Sequence, residues 1–524
     1  MKEKIEKAIA NALISLGAGE ARFVVERPRA MAHGDYATNA ALVAKVDPQE
    51  LSSSLRSLLS SDEIEKIEVV GKFVNFCLSR QALVPQPQAI PQLYSGKQIL
   101  VEYTSPNLFK PLHIGNLIGN ILGESVARLL EATGAEVKRL NYPSDIGLTV
   151  AKGVWGLLKT QGDPSDIKAL GAAYVAGNAA YEDGSAKQEI DEINTALYEG
   201  TNAQWSGLRQ KGIETSRRHL DELCARLGTK FDREFFESES GPLGRDAVKE
   251  HIGGVFKESE GAVVYEGAHT RVFLNSRGLP TYEAKEVGLF DLKSKAYPAF
   301  DISITVTGNE QREFFAVVFD AIQKMFPERT AHRSLRHIAN GFLKLTTGKM
   351  SSRLGNVITG ESLLEDLTEK ARGQEAVAVG AIKYAVLKSG SGKDIIFDPE
   401  QSLSLEGDSG PYLQYALVRA RSLAKAAGGT GIHPGQEDMP QEGSVLERLL
   451  IHNSEVIERA AREMEPHHVT TYLTEVASAF NSWYASGRVI GGAAPHYGVW
   501  LTYATIKILK EGLDILGIPA PEEM

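Results

Sequence analysis

Along residues 114–130 the apolar side chains fall at Ile114, Leu117, Ile118, Ile121, Leu122, Val126, Leu129 and Leu130. Steps of three and four predict an amphipathic helix. Just upstream, Gln98-Ile99-Leu100-Val101-Glu102-Tyr103 reads as a short strand, and Glu136–Leu140 downstream as another. Strand, helix and strand in this order predict a βαβ unit in a parallel sheet. Strand-like runs return at Ala262–Tyr265, Val272–Leu274 and Ser303–Val306. Between the two halves, residues 155–260 are polar and mostly helical in pattern, with charged stretches such as Lys187–Asn194. They read as an insertion. From about residue 361 the pattern is almost wholly helical, with helices carrying Ala381–Leu387, Pro411–Leu423, Val445–Arg462, Val469–Ala485 and Val499–Leu516. At the other end, helical spacing over residues 2–15 and strand-like runs at Arg22–Glu26 and Phe73–Leu78 suggest a small α+β unit. A Pro- and Gln-rich linker at residues 84–91 follows it. The expected organisation is multidomain: an N-terminal unit at 1–84, an α/β domain at 92–360 with a helical insertion at about 155–260, and a helical bundle at 361–524.

Composition narrows the class. A chain of 524 residues exceeds one ordinary core, and 43% hydrophobic with 24% charged residues is the balance of a soluble globular protein. No apolar run approaches a membrane span, and Met-Lys-Glu-Lys-Ile-Glu-Lys at the start has no signal-peptide core. Cys77 and Cys224 make neither a disulfide framework nor a metal motif. A cytoplasmic setting without a membrane partner is expected. A net charge of -10 speaks against a general nucleic-acid coat protein. It leaves room for an enzyme whose basic groups lie on one face.

Four constellations could carry chemistry. His113 and Gly115 stand where the first strand gives way to a helix start. Free backbone N–H groups and the helix dipole there attract phosphate. A histidine can donate to a phosphate oxygen, and glycine lets a flat base lie on bare backbone. A lone His-x-Gly is usually an ordinary turn, so its position is what favours the nucleotide reading. Lys349-Met350-Ser351-Ser352-Arg353 places two cations and two hydroxyls in a loop that could close over a polyphosphate, or could be a solvated basic loop. Glu102 and Asp145 end the two predicted strands, where ligands of parallel sheets bind, and would together suit a cation. Each alone is more often a cap or surface residue. Tyr282 and Glu286 share a face if their segment is helical. Tyr412, Tyr415, Arg419 and Arg421, with Trp483-Tyr484, could stack unpaired bases or be a core stripe with solvated arginines.

In this order the pieces resemble a class I aminoacyl-tRNA synthetase, with His113-Ile114-Gly115-Asn116 similar to its HIGH motif and Lys349–Arg353 to its KMSKS loop. The longer context resembles the arginyl-tRNA synthetase family: Val101–Asn107 with Lys110–Gly115, Gly348–Arg353 with Gly355-Asn356, His33–Asn39 near the start, and Gly512–Ile518 near the end. The resemblance implies a Rossmann-like catalytic domain, an N-terminal domain that contacts the tRNA D-loop, and an all-α anticodon-binding bundle. It implies arginine–tRNA ligase activity: arginine and ATP give arginyl-adenylate and pyrophosphate, and the arginyl group then passes to the 3′ end of tRNA(Arg). ATP enters with Mg²⁺, no structural metal is expected, and the chain would act as a monomer.

By position the resemblance assigns arginine binding to Glu102, Asn107, Tyr282, Glu286 and Gln311. It assigns ATP binding to Ser105, His113, Gly115, Asn116, Lys349 and Met350, and catalysis to Lys110, His113, Gly115, Asn116, Lys349, Ser351 and Ser352. Contacts with tRNA fall to Phe73, Asn75, Tyr412, Tyr415, Arg419, Tyr484 and Met524. The chain departs from the family pattern at Asn116, where the motif has histidine, and at Arg353, where many class I enzymes have lysine. Lys110 could supply that missing cation. It departs again at Glu286, where aspartate is usual, at Ser144-Asp145-Ile146-Gly147 in place of Gly-Asp-Trp-Gly, and at Phe314-Phe315 in place of His-Phe. Asn116 keeps one rival in view, a silent synthetase-like protein that only binds tRNA. Another class I synthetase is the second.

Overall fold

The protein is described here by a computed structural model covering residues 1–28, 30–86, 89–346 and 359–524. Near the N-terminus, strands β1 (Val25–Glu26), β2 (Tyr36–Thr38), β3 (Ile64–Val70) and β4 (Phe73–Leu78) form an antiparallel sheet in the order β1-β2-β4-β3. Helices α1 (Lys2–Ser15) and α2 (Pro48–Leu58) cover it, burying Ile5, Ile9, Leu13, Leu51 and Leu55 against Val74 and Phe76. Asp47 starts α2 by accepting from the amides of Gln49 and Glu50, with Pro48 pre-set for the first turn. The run expected at Arg22–Glu26 shrinks to two residues.

The central sheet is built from β5 (Gln98–Glu102), β6 (Glu136–Asn141), β7 (Arg233–Glu234), β11 (Ile302–Gly308) and β12 (Ser334–Asn340). All its pairings are parallel, in the order β12-β11-β5-β6-β7. The chain winds outward from β5 in one direction and returns on its other side, so a crevice opens between β5 and β11 beyond their carboxyl ends. Strands β8 (Lys257–Ser259), β9 (Ala262–Glu266) and β10 (Thr270–Leu274) form a separate antiparallel sheet. Helix α3 (Ile114–Ala132) links β5 to β6. Beyond β6 come α4 (Leu148–Thr160), α5 (Ile167–Glu182), α6 (Lys187–Glu199), α7 (Ala203–Arg226) and α8 (Glu237–Glu250). The central sheet is therefore re-entered at β7, inside the segment expected to be insertion. Two charged residues, paired to Leu140 and Asn141 and tied further by Glu234 to Asn141 and Arg217, leave no hydrophobic period to read.

Helix α9 (Tyr282–Ala296) precedes β11, and α10 (Arg312–Met325) joins β11 to β12. The C-terminal helices are α11 (Gly360–Lys370), α12 (Glu375–Leu387), α13 (Gly410–Gly428), α14 (Val445–Leu450), α15 (Asn453–Glu463), α16 (His467–Ala485) and α17 (Pro495–Leu516). The run expected as one helix over Val445–Arg462 breaks at Ile451-His452, where the N-terminal unit docks. There the Tyr36 hydroxyl donates to Glu455 at 2.6 Å and the Tyr36 and His452 rings meet edge to face.

Helix α3 is buried almost all round, between the sheet and the C-terminal helices. It approaches β5 so closely that a Cβ on Gly123 would lie 2.3 Å from the Tyr103 ring. Its far side holds the end of α17: Ser125 donates to the Ile515 carbonyl at 3.2 Å and Arg128 to that of Asp514 at 3.2 Å. Beside them the fully buried Lys383 donates to the carbonyls of Leu227 and Gly517, both at 2.6 Å. Among the described residues no helix is long and apolar enough to cross a membrane.

Candidate active site

Where β5 ends, the backbone turns through the left-handed region at Thr104 (φ 76°) and Ser105 (φ 38°), and again at Phe109 (φ 67°). Such angles cost a residue with a Cβ on the order of 1–3 kcal/mol each, so something must hold them. Asn116 donates to the Thr104 carbonyl at 2.9 Å, Asn120 donates to the Thr104 hydroxyl at 3.0 Å, and the Ser105 amide donates to Asn141 at 3.2 Å. The Phe109 amide is caught by Ser216 at 3.1 Å. Two backbone bonds, Leu108 to Ser144 and Ser144 to Pro106, tie the loop to the segment after β6. Asn116, expected at the nucleotide, thus has its amide nitrogen engaged in shaping the loop. The Ser105 hydroxyl is buried with no hydrogen-bond partner among the described residues.

His113 is the N-cap of α3, and its Nδ1 accepts from the Gly115 amide at 3.1 Å. Burial, reinforced by the nearby Lys110 charge, lowers its pKa, so the ring is neutral at pH 7. With Nδ1 accepting, this contact assigns the proton to Nε2, which is free to donate. Gly115 is required by the same contact: a Cβ there would lie 3.0 Å from both Cε1 and Nδ1 of His113. Lys110 lies 5.9 Å from the Tyr174 ring centroid.

The acids separate into paired and unpaired groups. Glu102, 2% exposed, forms an ion pair with Lys293, 5% exposed. Asp145, expected as a partner for a cation, is already saturated: Arg209 bonds it at 2.5 Å, and Ser238 donates to it through both amide and hydroxyl. Glu237 is paired with Lys285 at 2.5 Å. Glu286 makes no ion pair or side-chain hydrogen bond among the described residues. Loss of water and then the Glu102 charge raise its pKa, against a lowering by Lys293. Tyr282 and Glu286 do share a helix, with Tyr282 59% exposed at its start. Asn107 sits in the loop after β5, and Gln311 just beyond β11. Their amides have no partner among the described residues, so Asn107, Glu286 and Gln311 are polar groups left available at the crevice.

Lys349, Met350, Ser351, Ser352 and Arg353, with Gly348, Gly355 and Asn356, lie outside the described residues. The chain after them is tied to the site: Thr359 bridges His113, and the Gly360 amide donates to Leu112 at 3.0 Å. On the helical unit Arg419 bonds the Tyr415 hydroxyl and Asn481, both at 2.7 Å, and lies over the rings of Tyr415 (4.6 Å) and Tyr484 (5.3 Å). The structure thus brings Tyr415, Arg419 and Tyr484 together. Tyr412 is half-buried against the core, and Met524 is exposed. In the N-terminal unit Phe73 is exposed, but Asn75 is 4% exposed. Asn75 is the central-strand partner of both Ala37 and Glu68 and offers no surface contact.

Residues missed from sequence are Lys293, Glu237 and Lys285. The first lies seven positions beyond Glu286, a helical spacing visible in the sequence. Among the described residues His433, Glu437 and His496 have donor atoms within 4.8 Å of one another. They lie on the helical unit, separate from the site. His496 Nδ1 is already 3.0 Å from the His433 carbonyl.

A doubly wound parallel sheet with a histidine-capped helix at its switch point, joined to a helical unit, is the arrangement of a class I aminoacyl-tRNA synthetase. Residues 79–374 match the family described as "tRNA synthetases class I (R), catalytic domain". Residues 2–78 match "Arginyl tRNA synthetase N terminal domain" and residues 413–524 "DALR anticodon binding domain". The chain belongs to the arginyl-tRNA synthetase family. It is 29% identical to the arginine–tRNA ligase of Treponema denticola, over 92% of this chain and 90% of that one. It is 28% identical to that of Limosilactobacillus reuteri over the whole of both. The solved arginyl-tRNA synthetase of Thermus thermophilus superposes with a TM-score of 0.82 at 26% identity, covering all of both chains.

Proposed function

We propose that the chain is an arginine–tRNA ligase whose arginine and MgATP meet in the crevice between β5 and β11. The observation that carries this is Glu286, the carboxyl left unpaired where Glu102, Asp145 and Glu237 each have a cation. A guanidinium is a planar donor fork that a carboxylate can engage bidentately. Tyr282, Asn107 and Gln311 supply further polar contacts, and Glu102 closes the amino-acid pocket. Lysine and ornithine lack the fork, which disfavours them.

The arginine carboxylate attacks the α-phosphorus and pyrophosphate leaves, so no side chain becomes a covalent nucleophile. This chain positions the reactants and stabilises charge. His113 Nε2–H, at the positive end of α3, donates to a phosphate oxygen, with Gly115 giving backbone access. Ser105 and Lys110 assist, and we assign Lys349, Met350, Ser351 and Ser352 to the same triphosphate from their motif. Mg²⁺ arrives with ATP and shares the pyrophosphate charge. Adenylate then passes its arginyl group to the tRNA 3′ end. Tyr415, Arg419 and Tyr484, with Tyr412 and Met524 nearby in the bundle, receive the anticodon, and Phe73 the D-loop. The units at 1–84, 92–360 and 361–524 divide this work. We take the chain to act as a monomer in the cytoplasm.

ATP–pyrophosphate exchange across amino acids, with and without tRNA(Arg) transcript, tests this reading. Exchange is expected with arginine plus tRNA and should need a far higher arginine KM in Glu286→Gln. Exchange with another amino acid, and none with arginine and tRNA, would refute it.

A further inference from the structure

Lys293 is a buried cation that the reaction as derived does not use. It projects from α9 two helical turns beyond Glu286, so both lie on one face of that helix. Its ammonium pairs with Glu102, the last residue of β5, and lies 3.5 Å from the Ser303 hydroxyl on β11. Lys293 therefore spans the two strands that border the crevice.

We propose that Lys293 is a positioning and specificity residue for the amino acid: by pairing with Glu102 it fixes that carboxylate and leaves Glu286 as the crevice carboxyl without a cation among the described residues. This rests on the arginine reading of the pocket and deepens it. The charge balance explains why. A buried carboxylate without a partner is costly and tends to take up a proton. Without Lys293, Glu286 would face the Glu102 carboxyl with no cation from α9 between them, and would hold its own proton more tightly against an incoming cation. With Lys293 in place, Glu102 is held in its ion pair, and the carboxyl left to meet one guanidinium is Glu286. The neighbouring acids do not alter the count, because Glu237 is paired with Lys285 and Asp145 with Arg209.

The groups facing Glu286 are Glu102 from β5, Glu237 from α8, Tyr142 from the end of β6, and Lys293 with Glu283 from its own helix. Burial and Glu102 raise the Glu286 pKa, while Lys293 holds it down. A cation needs the ionised carboxylate, so arginine KM should fall as pH rises through that pKa.

The test is arginine KM against pH in tRNA-dependent exchange, from about pH 6 to 9.5, a range that spans a raised carboxyl pKa. Lys293→Met should move the midpoint up by about one unit, raising KM about tenfold near neutrality, with kcat and the ATP KM little changed. Lys293→Arg should restore the profile. Glu102→Gln leaves the lysine uncompensated beside Glu286 and should move the midpoint down. It reads the same coupling if Lys293→Met does not fold. A midpoint that stays put in the folded variants overturns the proposal. An unchanged arginine KM in Glu286→Gln would instead show that this is not the arginine pocket, and both readings would fall.

Discussion

Gly115→Ala isolates what the start of α3 does, because its effects on folding nearly cancel while its effect on the site does not. The new Cβ would lie 3.0 Å from Cε1 and Nδ1 of His113, closer than ordinary contact. The imidazole must give by a few tenths of an ångström, which weakens or breaks the hydrogen bond from the Gly115 amide to Nδ1. Losing a cap of this kind costs about 0.5–2 kcal/mol. Replacing glycine by alanine within a helix gains up to about 1 kcal/mol. The net change in stability is therefore small, roughly 0–1 kcal/mol destabilising, or a few degrees at most for a chain of this size. The catalytic effect is of another order. A displaced ring no longer aims Nε2–H at phosphate, and loss of one preorganised donor costs about 2.7–4 kcal/mol, or 10²–10³ in kcat. The assay pairs thermal unfolding with arginine-dependent exchange at saturating tRNA. The expected result is near-native melting with exchange reduced about a hundredfold or more. Native turnover would refute the role given to the His113 contact. A loss of melting temperature that accounts for the lost turnover would refute the argument that folding effects cancel.

Two further outcomes test regions away from the nucleotide. Burial, with Arg128 nearby, lowers the Lys383 pKa from 10.5 to about 7, so between these values the unfolded chain binds the extra proton and stability should rise with pH. Urea unfolding of Lys383→Met should lose that upward slope above about pH 7, and an identical slope in both proteins would exclude Lys383 as its source. On the bundle, Arg419→Ala removes the cation lying over Tyr415 and Tyr484. Filter binding should show tRNA(Arg) affinity reduced by about 1–3 kcal/mol with a shallower salt dependence. Wild-type affinity and slope would remove this platform from the interface.

The long elements were legible because each buries one periodic face over several turns. The helix expected over residues 114–130, the strand at Phe73–Leu78 and the terminal helix all stand close to their expected bounds. What escaped was short or relational. Strand β7 has two residues and no apolar period. Asp145 and Glu102 could be placed at strand ends from sequence, yet whether each was free depended on Arg209 and Lys293, residues 64 and 191 positions away. Asn75 alternates onto the face of β4 opposite the core residues Val74 and Phe76, so its burial at 4% exposure, between β2 and β3, could not be read from the period of two.

Asn116 shows the same lesson from the opposite side. Against the family motif it looked like a lost histidine, and hence a weakened nucleotide site. In the structure its amide holds the Thr104 carbonyl while Asn120 holds the Thr104 hydroxyl, at the point where two successive residues take left-handed backbone angles. That turn separates Glu102, assigned above to the amino acid, from Ser105 and His113, assigned to the nucleotide. A short neutral amide suits this position, since a carbonyl in a strained turn needs a donor at every pH, which an imidazole does not guarantee. The departure from the motif is therefore compatible with the proposed active site, because Asn116 holds the strained turn on which Glu102, Ser105 and His113 are arranged.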